Sequence, residues 1–260
     1  MPKVYRLDAD STGTDSIQSY VDEGSIINIP CPTFSDFDKA ARELQDTIEP
    51  GDAVIFDTLS SLLDTTRGDM MLGDDPRASL WDQHGKFFGD KQFMNTYRGA
   101  QNLTLRRIKN ITNRGAHGIV ICHESEGKDP MATMKMSIPM VNPAMVDDLI
   151  ATCSDVFRLN LATNDVVNDA GRTTIKAGQR VLYMRRTDDY TAKFHVDPRR
   201  RDPDKIPSGI LNPTFIKMCD VLGKVPKCVC IYAWPGVGKT TFAAGVVEVL
   251  NSTTTQKETA

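Results

Sequence analysis

Residues 233–250, AWPGVGKTTFAAGVVEVL, constrain the fold of this chain more than any other segment. They follow the apolar run CVCIY at 228–232 and contain G-V-G-K-T, which is typical of a phosphate-binding loop between a strand and a helix. Such a loop normally opens a large α/β domain, because the strand before it lies at the centre of a sheet. Residues 251–260 are the part of this sequence that follows the helix, so we expect the other strands of the domain among the residues before the loop.

The glycine loop predicts a nucleotide site that uses ATP and Mg²⁺. Its backbone N–H groups and the positive end of the following helix attract an anion. In this motif the ammonium of Lys239 contacts the β- and γ-phosphates, and the hydroxyl of Thr240 binds Mg²⁺. The full motif has glycine where this chain has Ala233. The predicted nucleotide-binding residues are Pro235, Gly236, Val237, Gly238, Lys239, Thr240 and Thr241.

Two acidic segments near the start of the chain can complete such a site. The run AVIF ends at Asp57, where a carboxylate at the edge of a strand can hold Mg²⁺. Its alternative role is the N-cap of the next helix. Asp8 and Asp10, in RLDADSTG, are candidates to orient or deprotonate the attacking water. The alternative interpretation is that both belong to a polar loop after a strand and have no catalytic role.

Apolar runs alternate with helical patterns along the chain, which predicts an α/β fold with a mainly parallel sheet and helices on both faces. Closely spaced runs at 156–161, 180–185 and 191–196 indicate an antiparallel extension at one edge. We expect residues 1–260 to form a single domain. The segments 65–93 and 124–143 lack clear periodicity, and we predict a long loop or insertion in the first and a mobile loop in the second.

The composition is that of an ordinary globular protein, with 40% hydrophobic residues and a net charge of −3. Any nucleic-acid contact must therefore come from local basic segments. The six cysteines form no C-x-x-C motif, and four lie in or beside apolar runs, which indicates buried reduced thiols and a cytoplasmic protein. Because no long apolar run and no signal peptide are found, we expect no membrane partner.

The order of these motifs is normal only if the C-terminus is joined to the N-terminus. The loop at 233–240 then comes first, RLDADSTG second and AVIFDTLSS third, while residues 251–260 with Met1 and Pro2 become a surface connection. The termini of a domain are often close together, so such a rearrangement is structurally inexpensive. The sequence is therefore interpreted as circularly permuted.

In the rearranged order, the chain resembles the RecA-like ATPases of bacteriophages, the single-stranded-DNA-binding recombinase cores of the Sak-four type. PGVGKTTFA resembles the family's phosphate-binding loop, and VIFDTLSSLLD resembles its magnesium-binding strand with Asp57 in that role. LDADSTG resembles the strand with the catalytic glutamate, whose place is taken by Asp10. GIVICHE resembles the sensor strand, which ends at His123, and DDYTAKFHVDPRRR resembles the hairpin that places Lys193 on the phosphates of ATP, often a neighbour's.

The resemblance implies a RecA-like P-loop NTPase core and Mg²⁺-dependent ATP hydrolysis. It also implies binding to single-stranded DNA as a ring or filament, in phage DNA recombination or replication, and thus in the cytoplasm of an infected host cell. The loops after Asp57 and His123 would face the DNA, and the second carries Lys128 and Lys135. Aspartate instead of glutamate at position 10 shortens the catalytic side chain, which favours slow turnover.

Two other functions fit the same loop. A P-loop small-molecule kinase needs arginines in a lid, and the segment 65–93 offers only Arg67 and Arg77. The second function is that of a nucleotide-binding assembly protein with little turnover. In that case, Asp10 in place of glutamate and Ala233 in place of glycine would mark the loss of hydrolysis.

Overall fold

The computed structural model describes residues 2–72, 90–128, 135–141, 143–162, 166–167, 173–199 and 201–258. Its strands are β1 (Val4–Asp8), β2 (Ile27–Pro30), β3 (Ala53–Asp57), β4 (His117–Lys128), β5 (Lys135–Pro139), β6 (Asp155–Leu161), β7 (Val166–Val167), β8 (Thr173–Ile175), β9 (Arg180–Tyr183), β10 (Gly209–Leu211) and β11 (Cys228–Ala233). Its α-helices are α1 (Gln18–Asp22), α2 (Phe34–Thr47), α3 (Leu59–Leu72), α4 (Asp90–Asn113), α5 (Pro143–Thr152), α6 (Phe215–Leu222), α7 (Lys239–Ala244) and α8 (Val246–Glu258). Short 3₁₀ helices span Ser11–Ile17 and Pro203–Lys205.

The main sheet has the strand order β10-β9-β6-β11-β4-β3-β1-β2, with β5 paired to β4 outside this path. The strands from β6 to β2 pair in parallel. β9 pairs antiparallel with β6, and β10 antiparallel with β9. The predicted α/β class, its mainly parallel sheet and its antiparallel edge are confirmed. The strand before the glycine loop, β11, lies between β4 and β6 near the centre of the sheet, although it comes last in the chain.

Both faces of the sheet are covered by helices. Successive side chains of a strand point to opposite faces, and in the central strands the side chains on both faces are buried. In β11, Val229 and Ile231 pack on one face in the cluster that includes α6, α7 and α8. Cys230 and Tyr232 pack on the other face in the cluster that includes α2, α3, α4 and α5. All six cysteines are buried free thiols, as predicted. Within the described ranges, no helix has the length and apolarity that a membrane span needs.

Parts of both segments predicted as loops are regular structure, so the loop assignment was wrong for those parts, which belong to α3, α4, β4, β5 and α5. Helix α3 continues to Leu72, and Thr66 is buried in its first turn within the segment. Residues 73–89 lie outside the described part. In the segment 124–143, β4 runs on to Lys128 and pairs antiparallel with β5. Cross-strand hydrogen bonds form this hairpin, and they leave no periodic signal in a polar sequence.

The predicted strand at 191–196 is also absent from the structure. Residues 190–196 run as an extended segment with isolated bridges, from Tyr190 to Ser137 and from Lys193 to Val156. The third strand of the edge is instead β10, which the sequence did not indicate. It pairs with β9 over only three residues, too few to show alternation.

Candidate nucleotide-binding and catalytic site

The glycine loop connects the end of β11 to the start of α7. Gly236 and Gly238 have φ angles of 79° and 87°, a backbone region that favours glycine. Gly238 is the N-cap of α7, which begins at Lys239. The loop therefore has the strand–turn–helix geometry that directs backbone N–H groups toward an anion. Of its predicted binding residues, Pro235, Gly236 and Thr241 are exposed and Val237 is buried in the core.

The side chain of Lys239 folds back over the loop. Its Nζ donates to the carbonyl oxygens of Ala233 at 3.2 Å and Trp234 at 3.0 Å. The residue is only 6% exposed, and burial lowers the pKa of its ammonium while the carboxylate of Asp57 opposes that effect. An ammonium held at the loop by two neutral carbonyls is available to exchange them for phosphate oxygens.

His123 joins Lys239 to the acidic loop after β1. It pairs in register with Ala233 at the end of β11, so its side chain reaches the glycine loop. Its Nδ1 lies 3.4 Å from Lys239 Nζ, and its Nε2 lies 4.0 Å from Asp10 Oδ2. Burial and then the charge of Lys239 lower the pKa of His123. The ring is therefore neutral near pH 7, with Nδ1 as an acceptor and the Nε2 proton toward Asp10.

Asp57 and Thr240 form the corner where a magnesium ion is expected. Thr240 Oγ1 donates to Asp57 Oδ2 at 2.9 Å, although the two residues are 183 positions apart in the chain. The other oxygen, Oδ1, is buried and has no hydrogen-bond partner among the described residues. Burial raises the pKa of Asp57, and the charge of Arg6 opposes this. A hydroxyl beside a carboxylate with a free oxygen fits Mg²⁺, which binds through one or two protein oxygens and substrate phosphates.

The structure adds Arg6, which the sequence analysis did not select. Its guanidinium bridges Asp57 and Asp8, with a distance of 2.8 Å to each carboxylate. Asp8 Oδ1 in turn accepts from the backbone N–H of Asp10 at 3.1 Å. Asp8 thus shapes the turn that carries Asp10. An arginine within an apolar strand was the available signal for this network.

Arg180 is a second arginine that the sequence analysis missed. It pairs with Leu161 at the carboxyl end of β6, the strand beside β11. One guanidinium nitrogen, Nη1, lies 3.1 Å from the point that a Cβ of Gly238 would occupy. The edge strand β9 therefore places a positive charge against the glycine loop.

Lys193 does not reach the glycine loop of its own chain. Its Nζ donates to the carbonyl oxygens of Ile150 at 2.6 Å and Cys153 at 2.7 Å, at the C-terminal end of α5. The backbone bridge to Val156 places it near the start of β6, whereas the loop follows the end of β11. The two strands are parallel, so Lys193 and Lys239 lie at opposite ends of the sheet.

Lys128 and Lys135, the predicted DNA-binding residues, are paired in the backbone register of the β4–β5 hairpin. The hairpin continues from His123, so it leaves the sheet at the edge that carries the glycine loop. Residues 129–134 between its strands lie outside the described part.

These features together define a class of protein. A mainly parallel sheet, a phosphate-binding loop after a central strand, and a carboxylate against the loop's threonine are the core of a P-loop NTPase.

A family comparison assigns the chain within this class. The chain belongs to the AAA domain family, whose profile matches residues 1–195. The match includes Asp10, Asp57 and His123 and ends before β11 and the glycine loop. Neither a search of curated proteins nor a search of solved structures finds a significant match.

Proposed function

We propose that this protein is a Mg²⁺-dependent ATP hydrolase of the RecA-like type that works on single-stranded DNA as an oligomer. The contacts that join the two ends of the chain carry the proposal. Thr240 contacts Asp57, and Lys239 contacts His123, which faces Asp10. A phosphate-binding loop, a metal carboxylate and a candidate catalytic carboxylate thus meet at one edge of the sheet.

Substrate binding falls to the glycine loop and its charged neighbours. The loop N–H groups and the Lys239 ammonium bind the β- and γ-phosphates, with Lys239 leaving its two carbonyl partners. The Thr240 hydroxyl and the Asp57 carboxylate hold Mg²⁺. When bound, the ion neutralises charge on the phosphates during transfer.

Hydrolysis also requires that a water molecule be positioned. Asp10 accepts a proton of the attacking water and orients it toward the γ-phosphorus. The Nε2–H of His123 faces Asp10 and the Nδ1 faces Lys239, so the imidazole links the carboxylate to the phosphate-binding lysine. In this role His123 aligns the two groups and transfers no proton itself.

Arg180 is proposed as a further ligand of the nucleotide phosphates. Replacing it with alanine removes a guanidinium beside Gly238, and we expect ADP affinity to fall roughly tenfold, as for one lost hydrogen bond to a charged group. Affinity for adenosine should stay the same. Isothermal titration of both ligands checks this, with Lys176→Ala, an exposed lysine before β9, as the matched control. Equal losses for ADP and adenosine would instead indicate a general disturbance of the edge strand.

The order of motifs is proposed to be a circular permutation of a phage recombinase core. Segments near the two ends of the chain lie together: Pro2, Lys3 and Val4 line the same cavity, about 360 Å³, as Val247, Leu250 and Asn251. Tyr20 Oη also donates to Glu248 Oε1 at 3.1 Å. A short connection could therefore join the ends without altering the sheet.

Self-association into a ring or filament is proposed from the position of Lys193. With Lys193 at the amino ends of the strands, only the nucleotide of a neighbouring subunit could come within its reach. Together with His195, Lys109 and Lys227 it lines an open cavity of about 440 Å³, a basic surface suited to phosphates.

DNA binding is proposed for the β4–β5 hairpin, since it continues the strand that carries His123. The double substitution Lys128→Ala with Lys135→Ala removes the two lysines that are opposite each other in the backbone register of the hairpin. We expect it to abolish DNA stimulation of ATP hydrolysis while hydrolysis without DNA persists. The stimulation by the parent should weaken steeply with salt, as for phosphate contacts.

The test is phosphate release with and without a single-stranded oligonucleotide. The double variant Lys39→Ala with Lys205→Ala, two exposed lysines elsewhere, is the matched control and should respond to DNA like the parent. Hydrolysis that ignores DNA in the parent would contradict the DNA-dependent function. If a small phosphate acceptor then stimulated ATP turnover, the protein would be a kinase. If ATP bound tightly without turnover, it would be an assembly protein.

A further inference from the structure

Arg6 places a guanidinium group at a position in the core. Side chains alternate along β1, so Val4, Arg6 and Asp8 share one face, and Val4 packs there with apolar residues of the core. The side chain of Arg6 is 0% exposed. A guanidinium so completely buried is costly unless its charge is compensated.

Two carboxylates on neighbouring strands provide that compensation. Asp8 and Asp57 are directly opposite each other in the parallel register of β1 and β3. Arg6 Nε donates to Asp57 Oδ2 and Nη1 donates to Asp8 Oδ2, both at 2.8 Å. Nη1 also lies 2.9 Å from Thr14 Oγ1 and 3.1 Å from Asn28 Oδ1. One guanidinium therefore bridges two adjacent buried acids.

One nitrogen of Arg6 faces the metal corner itself. Its Nη2 is buried and, within the described residues, has no hydrogen-bond partner; the same is true of Asp57 Oδ1. A Cβ on Gly13 would lie 3.0 Å from Nη2, 3.1 Å from Thr240 Oγ1 and 3.5 Å from Asp57 Oδ2. These three groups thus surround one small space, which is open because residue 13 is a glycine.

We propose that Arg6 is a positioning residue that also supplies the positive charge of the metal corner when no metal ion is bound. It holds Oδ2 of Asp57 beside the Thr240 hydroxyl, and it keeps Asp8 in the turn that orients Asp10. The proposal rests on the proposed function only in taking Mg²⁺ as the ion that this corner receives.

This role has a consequence for stability. With Arg6 present, the folded protein needs no metal ion to offset Asp8 and Asp57. Without Arg6, the two carboxylates repel each other in a buried place, and a divalent cation at this corner would supply the missing counter-charge. Removing Arg6 should therefore make the stability of the fold depend on Mg²⁺, even in the absence of nucleotide.

Thermal unfolding of Arg6→Met, without nucleotide, tests this in EDTA and in excess Mg²⁺. We expect the parent to have the same Tm in both buffers. The Tm of Arg6→Met should fall by roughly 10 °C in EDTA, as for a broken buried ion pair, and recover a large part of that loss in Mg²⁺. Adding Asp57→Asn to Arg6→Met should raise the Tm in EDTA and remove the effect of Mg²⁺.

Arg42→Met is the matched control, because Arg42 forms an exposed ion pair with Asp38. Its Tm should stay near that of the parent in both buffers. If Arg6→Met does not fold in EDTA, recovery of folded protein on adding Mg²⁺ supports the proposal. If it folds in neither buffer, Arg6→Gln takes its place, since glutamine is neutral but keeps hydrogen-bond donors for the two carboxylates. A lower Tm for Arg6→Gln in EDTA than in Mg²⁺ supports the proposal, and equal values contradict it.

A loss of Tm in Arg6→Met that is the same in both buffers overturns the proposal, because Arg6 is then only a structural residue. An Arg6→Met protein as stable as the parent in EDTA overturns it as well. Because the measurement contains no nucleotide, either outcome is independent of whether the parent hydrolyses ATP. If the parent did not hydrolyse ATP, the comparison of Tm values in EDTA and Mg²⁺ would still test the role of Arg6.

Discussion

Replacing Lys239 with alanine is expected to reduce ATP turnover by about 100- to 1000-fold, the usual cost of removing a group that stabilises transition-state charge. Affinity for ATP should fall by about tenfold or more, because a charged ligand of the phosphates is lost. Lys239 is the buried cation at the loop, held by the carbonyl oxygens of Ala233 and Trp234. Its removal leaves the backbone N–H groups of the loop in place but no ammonium for the γ-phosphate.

The chain provides its own reporter for nucleotide binding. Trp234 lies in the glycine loop, is 47% exposed and is one of two tryptophans in the chain. In a Trp81→Phe background, its fluorescence reports on the loop alone. Lys39→Ala, an exposed lysine of α2, is the matched control and should bind ATP like the parent. Unchanged ATP affinity and turnover in Lys239→Ala would show that the loop is not the phosphate site.

Replacing Asp10 with asparagine is expected to separate chemistry from binding. Turnover should fall by about 100- to 10,000-fold, the range for a lost general base, while ATP affinity stays close to that of the parent. Asp10 faces His123 across 4.0 Å and belongs to a turn held by Asp8, so asparagine can take its place without disturbing the loop. Phosphate release and Trp234 fluorescence measure the two effects separately.

Two further substitutions calibrate the result at position 10. Asp10→Glu introduces the longer carboxylate that the resemblance in the sequence implies for this position, and its turnover should equal or exceed that of the parent. Asp15→Asn changes an exposed acid in the adjacent 3₁₀ helix and should have no effect on turnover. If Asp10→Asn hydrolyses ATP like the parent, another carboxylate at this edge must position the water.

The candidate site residues that lie close together in the structure share a physical origin. Asp10, Asp57 and His123 each follow an apolar run, and such runs form parallel strands whose carboxyl ends meet at one edge. The glycine loop follows the central strand of the same sheet. Strand ends and turn residues are local signals, so the meeting of these groups could be inferred before any contact was known.

The features that were missed depend on contacts between distant segments. Arg6 appeared as one polar residue in a strand, because its role requires Asp57 from another strand and Asn28 from a third. The β4–β5 hairpin formed through backbone pairing in a polar sequence. Lys193 was placed in a hairpin by resemblance, whereas its ammonium is held by the carbonyl oxygens at the end of α5.

Steady-state phosphate release from ATP, in Mg²⁺ and in EDTA, tests most directly that both ends of the chain build one hydrolytic site. It is measured on the parent, on Lys239→Ala from the end of the chain and on Asp10→Asn from its beginning. We predict release by the parent that requires Mg²⁺ and is lost in both variants. No release by the parent in Mg²⁺, or release that survives either substitution, would contradict a site assembled from the two ends.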